Sequence, residues 1–163
     1  ASVKPDQIGL LEVCGSGSDV DDKFEMEGLT RVFSGDKPHC AIGGIKANIG
    51  HTFAASGMAS LIKTALCLNH RFIPGVPQWE SPKTELNPGN IFYVPEDSRP
   101  WLIQPGTPKR HAGISVIGQD QVCSNVILSE APTELRKKIE IAEPGDLSLF
   151  LLPGQEMTEI FQL

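Results

Sequence analysis

The residues best suited to chemistry sit in one stretch, "GGIKANIGHTFAASGMASLIKTALCL" (43–68), where Lys46, Asn48 and His51 precede a run of alanine, serine, glycine and leucine. A histidine just ahead of a helix faces the positive end of the helix dipole, which favours a neutral ring able to donate one hydrogen bond. Sulfur and metal chemistry find weaker support. Cys14, Cys40, Cys67 and Cys123 are scattered with no CxxC pair, and a metal site built from Cys14, His39, Cys40 and His51 has no ligand pair at zinc-finger spacing. The glycines of "GSGSDV" (15–20) do not make a dinucleotide fingerprint, because Val20 stands where the third glycine belongs.

The elements that must position these residues follow from the hydrophobic pattern. "IGLLEVC" (8–14) reads as a short buried strand that stops at "GSGSD". "DDKFEMEGLTRVF" (21–33) then has helical spacing through Phe24, Leu29, Val32 and Phe33. "CAIGGIKA" (40–47) is compatible with a second strand. Beyond it Ala54, Met58, Leu61, Ile62, Ala65 and Leu66 recur at intervals of three and four, predicting a helix apolar over most of its circumference and therefore internal. Residues 71–110 are rich in proline and suit an extended loop with one short strand at 91–94. "HAGISVIG" and "VCSNVILSE" form two strands joined by a turn at Gln119 to Gln121. Residues 131–146 have the mixed charge of a linker, and 147–163 read as the opening of a further segment cut off at Leu163.

Bulk properties exclude several functions. A chain of 163 residues can bury a core without staples. A net charge of -6 and a pI near 5.2 argue against nucleic-acid or anionic-membrane surfaces, which rely on clustered Lys and Arg. The longest apolar run, "LSLFLLP" (147–153), is far short of the roughly 20 residues that span a bilayer. With no signal-peptide pattern at the start and no paired cysteines, the expected setting is cytoplasmic, with free thiols.

The pattern Lys46-x-Asn48-x-Gly50-His51 followed by the small-residue helix resembles the second histidine motif of the β-ketoacyl synthases, the decarboxylating condensing enzymes of fatty-acid and polyketide synthesis. The likeness runs over about residues 6–130, and the wording of 46–83 is nearest to ketosynthase-like domains of polyunsaturated fatty-acid and glycolipid synthases. It implies an α/β fold: the C-terminal half of the layered α-β-α-β-α thiolase-like architecture, with a mixed sheet and a buried central helix. Residues 1–130 form that domain. Its N-terminal half, with the cysteine nucleophile, would lie upstream of Ala1, so the chain is expected to be truncated at both ends. Within the resemblance, Ala54, Ala55, Ser56, Gly57, Ala59 and Ser60 let neighbouring backbones come close, and His51 donates to an enolate oxygen. Lys46 orients the site, and Glu25, at the family's glutamate after the first histidine motif, is its ion-pair partner. The resemblance implies no directly bound cofactor or metal. It implies an acyl carrier protein with a phosphopantetheine arm as substrate carrier, and a ketosynthase subunit or second copy as dimer partner.

Two motifs depart from the family. Where it has His-Gly-Thr-Gly-Thr, this chain has Cys14-Gly15-Ser16-Gly17-Ser18. A thiol is a weak hydrogen-bond donor, and losing one donor of this kind typically costs about a hundred- to thousandfold in rate. Thiolases of the same superfamily use a second cysteine, but theirs occupies the later motif. The family's Gly-Phe-Gly-Gly-Thr-Asn loop aligns with Gly118-Gln119-Asp120-Gln121-Val122-Cys123. Asp120 and Gln121 restrict the φ > 0 conformations and the close approach that glycine permits, and Asp120 sets a carboxylate where an anionic malonyl group must enter. The expectation is a catalytically degenerate domain resembling a chain-length factor, which shapes the acyl tunnel. The alternative is part of an active β-ketoacyl synthase performing decarboxylative Claisen condensation. The chain alone, without the nucleophile, is expected to be inactive.

Overall fold

The computed structural model of the chain describes residues 2–35, 37–77, 79–81, 91–103, 106–118 and 122–132. One compact unit spans Ala1–Ala131. The turn at Gln119 to Gln121, nearly all of the expected linker and the whole of 147–163 lie outside the described residues.

The chain enters through a single 3-10 turn, Pro5–Gln7, into β1 (Ile8–Glu12), which is buried along its whole length. β1 is the centre of a five-stranded sheet. β2 (Cys40–Gly43) lies parallel to it on one side and β6 (His111–Ile117) parallel on the other. β4 (Phe92–Tyr93) extends the sheet beyond β2, and β7 (Cys123–Ser129) closes it beyond β6 as the antiparallel arm of a seven-pair hairpin. A separate two-stranded ribbon pairs β3 (Phe72–Ile73) with β5 (Arg99–Pro100), a pairing the proline-rich reading of 71–110 did not anticipate. Its residues are held by position rather than by alternation, so periodicity gave no sign of them.

β1 carries a register shift between Ile8 and Leu10 against β6, and this irregularity sorts its side chains onto two faces. Ile8 and Leu11 pack with Phe33, Ile42 and Phe92 on one side, while Leu10 joins Leu68, Ile73 and Trp101 on the other. Gly9 is required at the shift, since a Cβ there would stand 2.8 Å from the Trp101 indole nitrogen. The consequence for function is that Glu12 contacts the same helix, α3 (Ser56–His70), against which the Leu10 cluster packs.

Two long helices flank the sheet. α1 (Asp19–Val32) starts at Ser18, whose hydroxyl accepts from the Asp21 amide, and three aspartates in its first turn complement the dipole. α3 (Ser56–His70) follows a short turn of helix, α2 (Lys46–Ile49), and a 3-10 turn, Phe53–Ala55. Lys46 therefore opens a helical turn and does not continue a strand to residue 47. α3 is internal on one face only. Ser56, Ser60, Thr64, Cys67 and Leu68 are buried, whereas Met58, Ile62 and Leu66 are 59%, 54% and 51% exposed. Small side chains let the helix settle closely onto β6, and the larger apolar residues are left on the opposite face. Among the described residues, no helix is long and apolar enough to cross a membrane.

Candidate functional site

The turn after β1 is built by α1. Four consecutive amides are taken by two carboxylates one helical turn apart. Glu25 accepts from Cys14 N–H (2.8 Å) and Gly15 N–H (2.9 Å), and Asp22 accepts from Ser16 N–H (2.8 Å) and Gly17 N–H (3.3 Å). Spacing of three places Asp22 and Glu25 on one helix face, so a rigid helix writes the shape of a glycine-rich turn. Gly15 and Gly17 have φ of +48° and +81°, the region in which glycine is the natural occupant.

Lys46 approaches the same turn from the far side. Its ammonium donates to the Cys14 carbonyl oxygen and lies 3.4 Å from Cys14 Sγ. The expected Lys46–Glu25 ion pair is not formed: both Glu25 oxygens are occupied by the Cys14 and Gly15 amides, and Lys46 binds the carbonyl of that same residue 14. The two charged residues clamp the Cys14 backbone between them rather than each other. Cys14 is itself buried, with Sγ 3.9 Å from the Ile117 carbonyl oxygen.

His51 is exposed and bracketed by unusual backbone. Gly50 sits at φ +76°, ψ -179°, a conformation essentially closed to other residues, and Phe53 is held at φ +49°. This folding-back brings the Phe53 N–H to His51 Nδ1 at 3.0 Å. Nδ1 accepts there, so the ring's own N–H is on Nε2, the form that donates one hydrogen bond to a ligand. The Phe53 ring lies 4.9 Å from the imidazole.

Cys14, Glu25, His51 and Gly118 line one cavity of about 950 Å³, together with Ser16, Phe24, Phe53 and Cys123. Four positions singled out from the sequence thus converge on one space, with Lys46 behind Cys14. Gln119, Asp120 and Gln121 lie outside the described residues. Among the described residues there is no cluster of three or more His, Cys, Asp and Glu side chains fit to hold a metal ion.

Sequence reasoning missed a second polar centre beneath this cavity. Glu12 is fully buried, and its carboxylate accepts from Lys63 Nζ (2.7 Å), the Ile45 N–H and the Ser60 hydroxyl (3.4 Å). Burial pushes the Glu12 carboxyl above its ordinary range, outweighing the opposing pull of the Lys63 charge and of the hydrogen bonds from Lys63, Ile45 and Ser60. Burial also pushes the Cys67 thiol up. Gly43 leaves room for the pair, since a Cβ there would be 3.1 Å from Lys63 Nζ. The signal was present: Glu12 is the one charge in an apolar strand and Lys63 the one charge in an apolar helix, and buried charges need partners.

Residues 1–80 match the family described as β-ketoacyl synthase, C-terminal domain. The chain carries a β-ketoacyl synthase C-terminal domain. Its fold is thiolase-like: the ketosynthase from module 6 of the bacillaene synthase of Bacillus subtilis 168 superposes with a TM-score of 0.73 at 32% identity, over 78% of this chain and 24% of that one. A mycocerosic acid synthase-like polyketide synthase of Mycolicibacterium smegmatis is 36% identical over 135 residues, 81% of this chain and 6% of that protein. A polyunsaturated fatty acid synthase component from a Thraustochytrium species is 34% identical over 144 residues, 82% of this chain and 5% of that protein. The β-ketoacyl synthase domain thus spans a small part of the length of each relative. Cys14, Glu25, His51 and Gly118 thus converge on one cavity within a ketosynthase domain of the kind found in polyketide and fatty-acid synthases.

Proposed function

We propose that this ketosynthase domain is catalytically degenerate and acts as a chain-length-factor-like partner, one wall of an acyl tunnel rather than a complete condensing site. The observation that carries the reading is Cys14. It stands where the family has its first histidine, and its buried Sγ is turned toward Lys46 Nζ and the Ile117 carbonyl. Decarboxylation of a malonyl thioester develops negative charge on an enolate oxygen, and two imidazole N–H groups stabilise it in the family. Here His51 Nε2–H supplies one donor, and a thiol already engaged with a carbonyl supplies a poor second. By sequence alignment Asp120 also puts a carboxylate where the family motif has a glycine, a like charge to an anionic malonyl group.

On this reading the growing chain is carried by the phosphopantetheine arm of an acyl carrier protein, and the domain binds no cofactor or metal of its own. The apolar face of α3, with Ile45, Ile49, Ile62, Leu66 and Phe72 around a groove of about 620 Å³, packs against the N-terminal half of the same thiolase-like fold. A ketosynthase subunit or a second copy completes the dimer, in a cytoplasmic setting. The test is carbon dioxide release from malonyl carrier protein by the intact protein, with and without Cys14→His. The expected result is little release from the natural protein. Ready release that His51→Ala abolishes would instead make it a working decarboxylative condensing enzyme.

The specific observation on the side of activity is His51 itself. Its tautomer is set by the Phe53 amide, with the Nε2–H left to donate. The intact donor explains why the assay must include the His51 variant.

A further inference from the structure

The cavity is lined by the turn after β1, α1, residues between 51 and 57 leading into α3, the end of β6 and the start of β7. Of the segments around it, the end of β1, the 44–55 stretch and α3 also meet at the buried Glu12 carboxylate. Glu12 lies two residues before Cys14. One of its carboxylate oxygens accepts from the Ile45 N–H, the amide immediately before Lys46, and is also within reach of the Ser60 hydroxyl. The other accepts from Lys63 Nζ on α3. Between those two attachments runs the segment that contains Lys46, Gly50, His51 and Phe53. That segment includes the strained backbone at Gly50 and Phe53, which persists only when its surroundings over-determine it.

We propose that Glu12 is a positioning residue for the cavity site: one buried carboxylate ties off both ends of the 46–59 segment and so sets where Lys46 and His51 stand relative to Cys14. Lys63 and Ser60 form its far attachment and Ile45 its near one. This rests on the reading of the cavity as a ketosynthase site, but the role is geometric and holds whether or not that site condenses. Glu12 and Lys63 do not line the same space as Cys14 and His51, so the effect passes through the backbone of the segment. The arrangement also accounts for a costly choice. A buried ion pair between strand and helix stabilises less than apolar side chains of similar size would, and it is retained here where an apolar pair could not hold the Ile45 amide.

The test uses the intact protein and the carbethoxylation rate of His51 by diethyl pyrocarbonate, read by peptide mass spectrometry. In the natural protein the Phe53 N–H occupies Nδ1 and slows reaction at that atom. Glu12→Leu removes both attachments, Lys63→Met removes the charged part of the far one and leaves Ser60, and Glu12→Gln keeps an acceptor for Ile45 while weakening the far one. Leu68→Ala, on α3 and in the core but away from the carboxylate, serves as the stability-matched control. Loss of one charge-assisted attachment is expected to raise the His51 rate at least about tenfold in Lys63→Met and more in Glu12→Leu, with Glu12→Gln between natural and Leu. Leu68→Ala, compared at equal distance below its melting temperature, stays near the natural rate. If the Glu12 and Lys63 variants match the Leu68→Ala control, Glu12 merely stabilises the fold and the proposal is wrong. Should Glu12→Leu fail to fold, the same comparison with Glu12→Gln and Lys63→Met decides. Carbon dioxide release does not enter this readout, so the degenerate-site reading can fall while the positioning role stands, and the reverse.

Discussion

Removing the Glu25 carboxylate should loosen the Cys14 turn and little else. Glu25 is nearly buried and accepts two amide hydrogen bonds, at 2.8 and 2.9 Å. Each bond to a charged acceptor contributes about 1.5–3 kcal/mol, and an amide left without a partner adds a desolvation cost. Two considerations lower the sum. The bonds share one carboxylate and are not additive, and Glu25 borders the large cavity, so water can reach the amides once the side chain is gone. The net loss in Glu25→Ala is about 2–3 kcal/mol, or roughly 30- to 150-fold in the local opening equilibrium. Glu25→Gln keeps one acceptor but turns an NH2 group toward the second amide, and should lose about half as much. Amide hydrogen exchange with single-residue resolution measures this in the intact protein. The Cys14 and Gly15 amides should exchange faster by that factor, while Ser16 and Gly17, held by Asp22, change far less. Asp22→Asn should show the converse. A change below about threefold at Cys14 and Gly15, or an equal rise from Ile8 to Val32, would refute the clamp.

The cysteines should separate sharply toward an alkylating reagent. Burial pushes the Cys40 thiol up to about 12 from 9.0, so its thiolate fraction falls by about a thousandfold. Cys123 is exposed on β7 and should label first, with Cys40 last by at least that factor; comparable labelling of the two in the native protein would contradict the packing around Cys40. The pH dependence of stability should carry a contribution from His111, a buried residue whose Nδ1 lies 2.7 Å from the Ser129 hydroxyl oxygen. Burial first and the Lys109 charge second hold its pKa below the ordinary 6.5. The fold therefore prefers the neutral ring. This stabilisation is complete above about pH 6.5 and is lost as the pH falls below that value toward the folded pKa. Denaturant midpoints measured at about pH 7.5 and about pH 5.5 should differ less in His111→Gln than in the natural chain, and an undiminished difference would assign the effect elsewhere.

Much of the fold was legible because its signals are local. Apolar spacing through Phe24, Leu29, Val32 and Phe33 marks α1, which starts at Asp19 rather than 21, and the apolar runs at 8–14 and 40–47 contain the central strands Ile8–Glu12 and Cys40–Gly43. The hairpin at 111–129 was readable from its two strand-like runs. The buried face of α3 was not. Apolar spacing through Met58, Ile62 and Leu66 pointed to the side that is open here, whereas the side against the sheet is Ser56, Ser60, Thr64 and Cys67. Periodicity counts hydrophobic atoms and cannot weigh how closely a small residue lets a helix approach. At the site, Cys14, Glu25, Lys46, His51 and Gly118 could be named because the sequence resembles the family's motifs. The partner of Glu25 could not, because a carboxylate eleven residues after Cys14 has the same spacing whether it faces an ammonium or two amides.

The two carboxylates that organise the Cys14 region differ in what they tolerate, and that difference explains what the substituted position can do. Glu25 binds backbone amides, so its hydrogen bonds do not involve the side chain at residue 14. Lys46 donates to the residue 14 carbonyl as well, and its ammonium also lies 3.4 Å from Cys14 Sγ. Glu12 fixes the segment carrying His51 through Ile45 and α3, again without touching the side chain of residue 14. The scaffold therefore holds its geometry independently of whether residue 14 can donate a hydrogen bond. On the proposed reading the cavity, the tautomer of His51 and the shape of the turn survive the loss of a donor at position 14, because they are held mainly by groups whose partners are main chain or deeply buried. Retained geometry is then no argument for retained chemistry, and on the proposed reading the side chain at position 14 is one of the features that separate a condensing site from a wall of the tunnel.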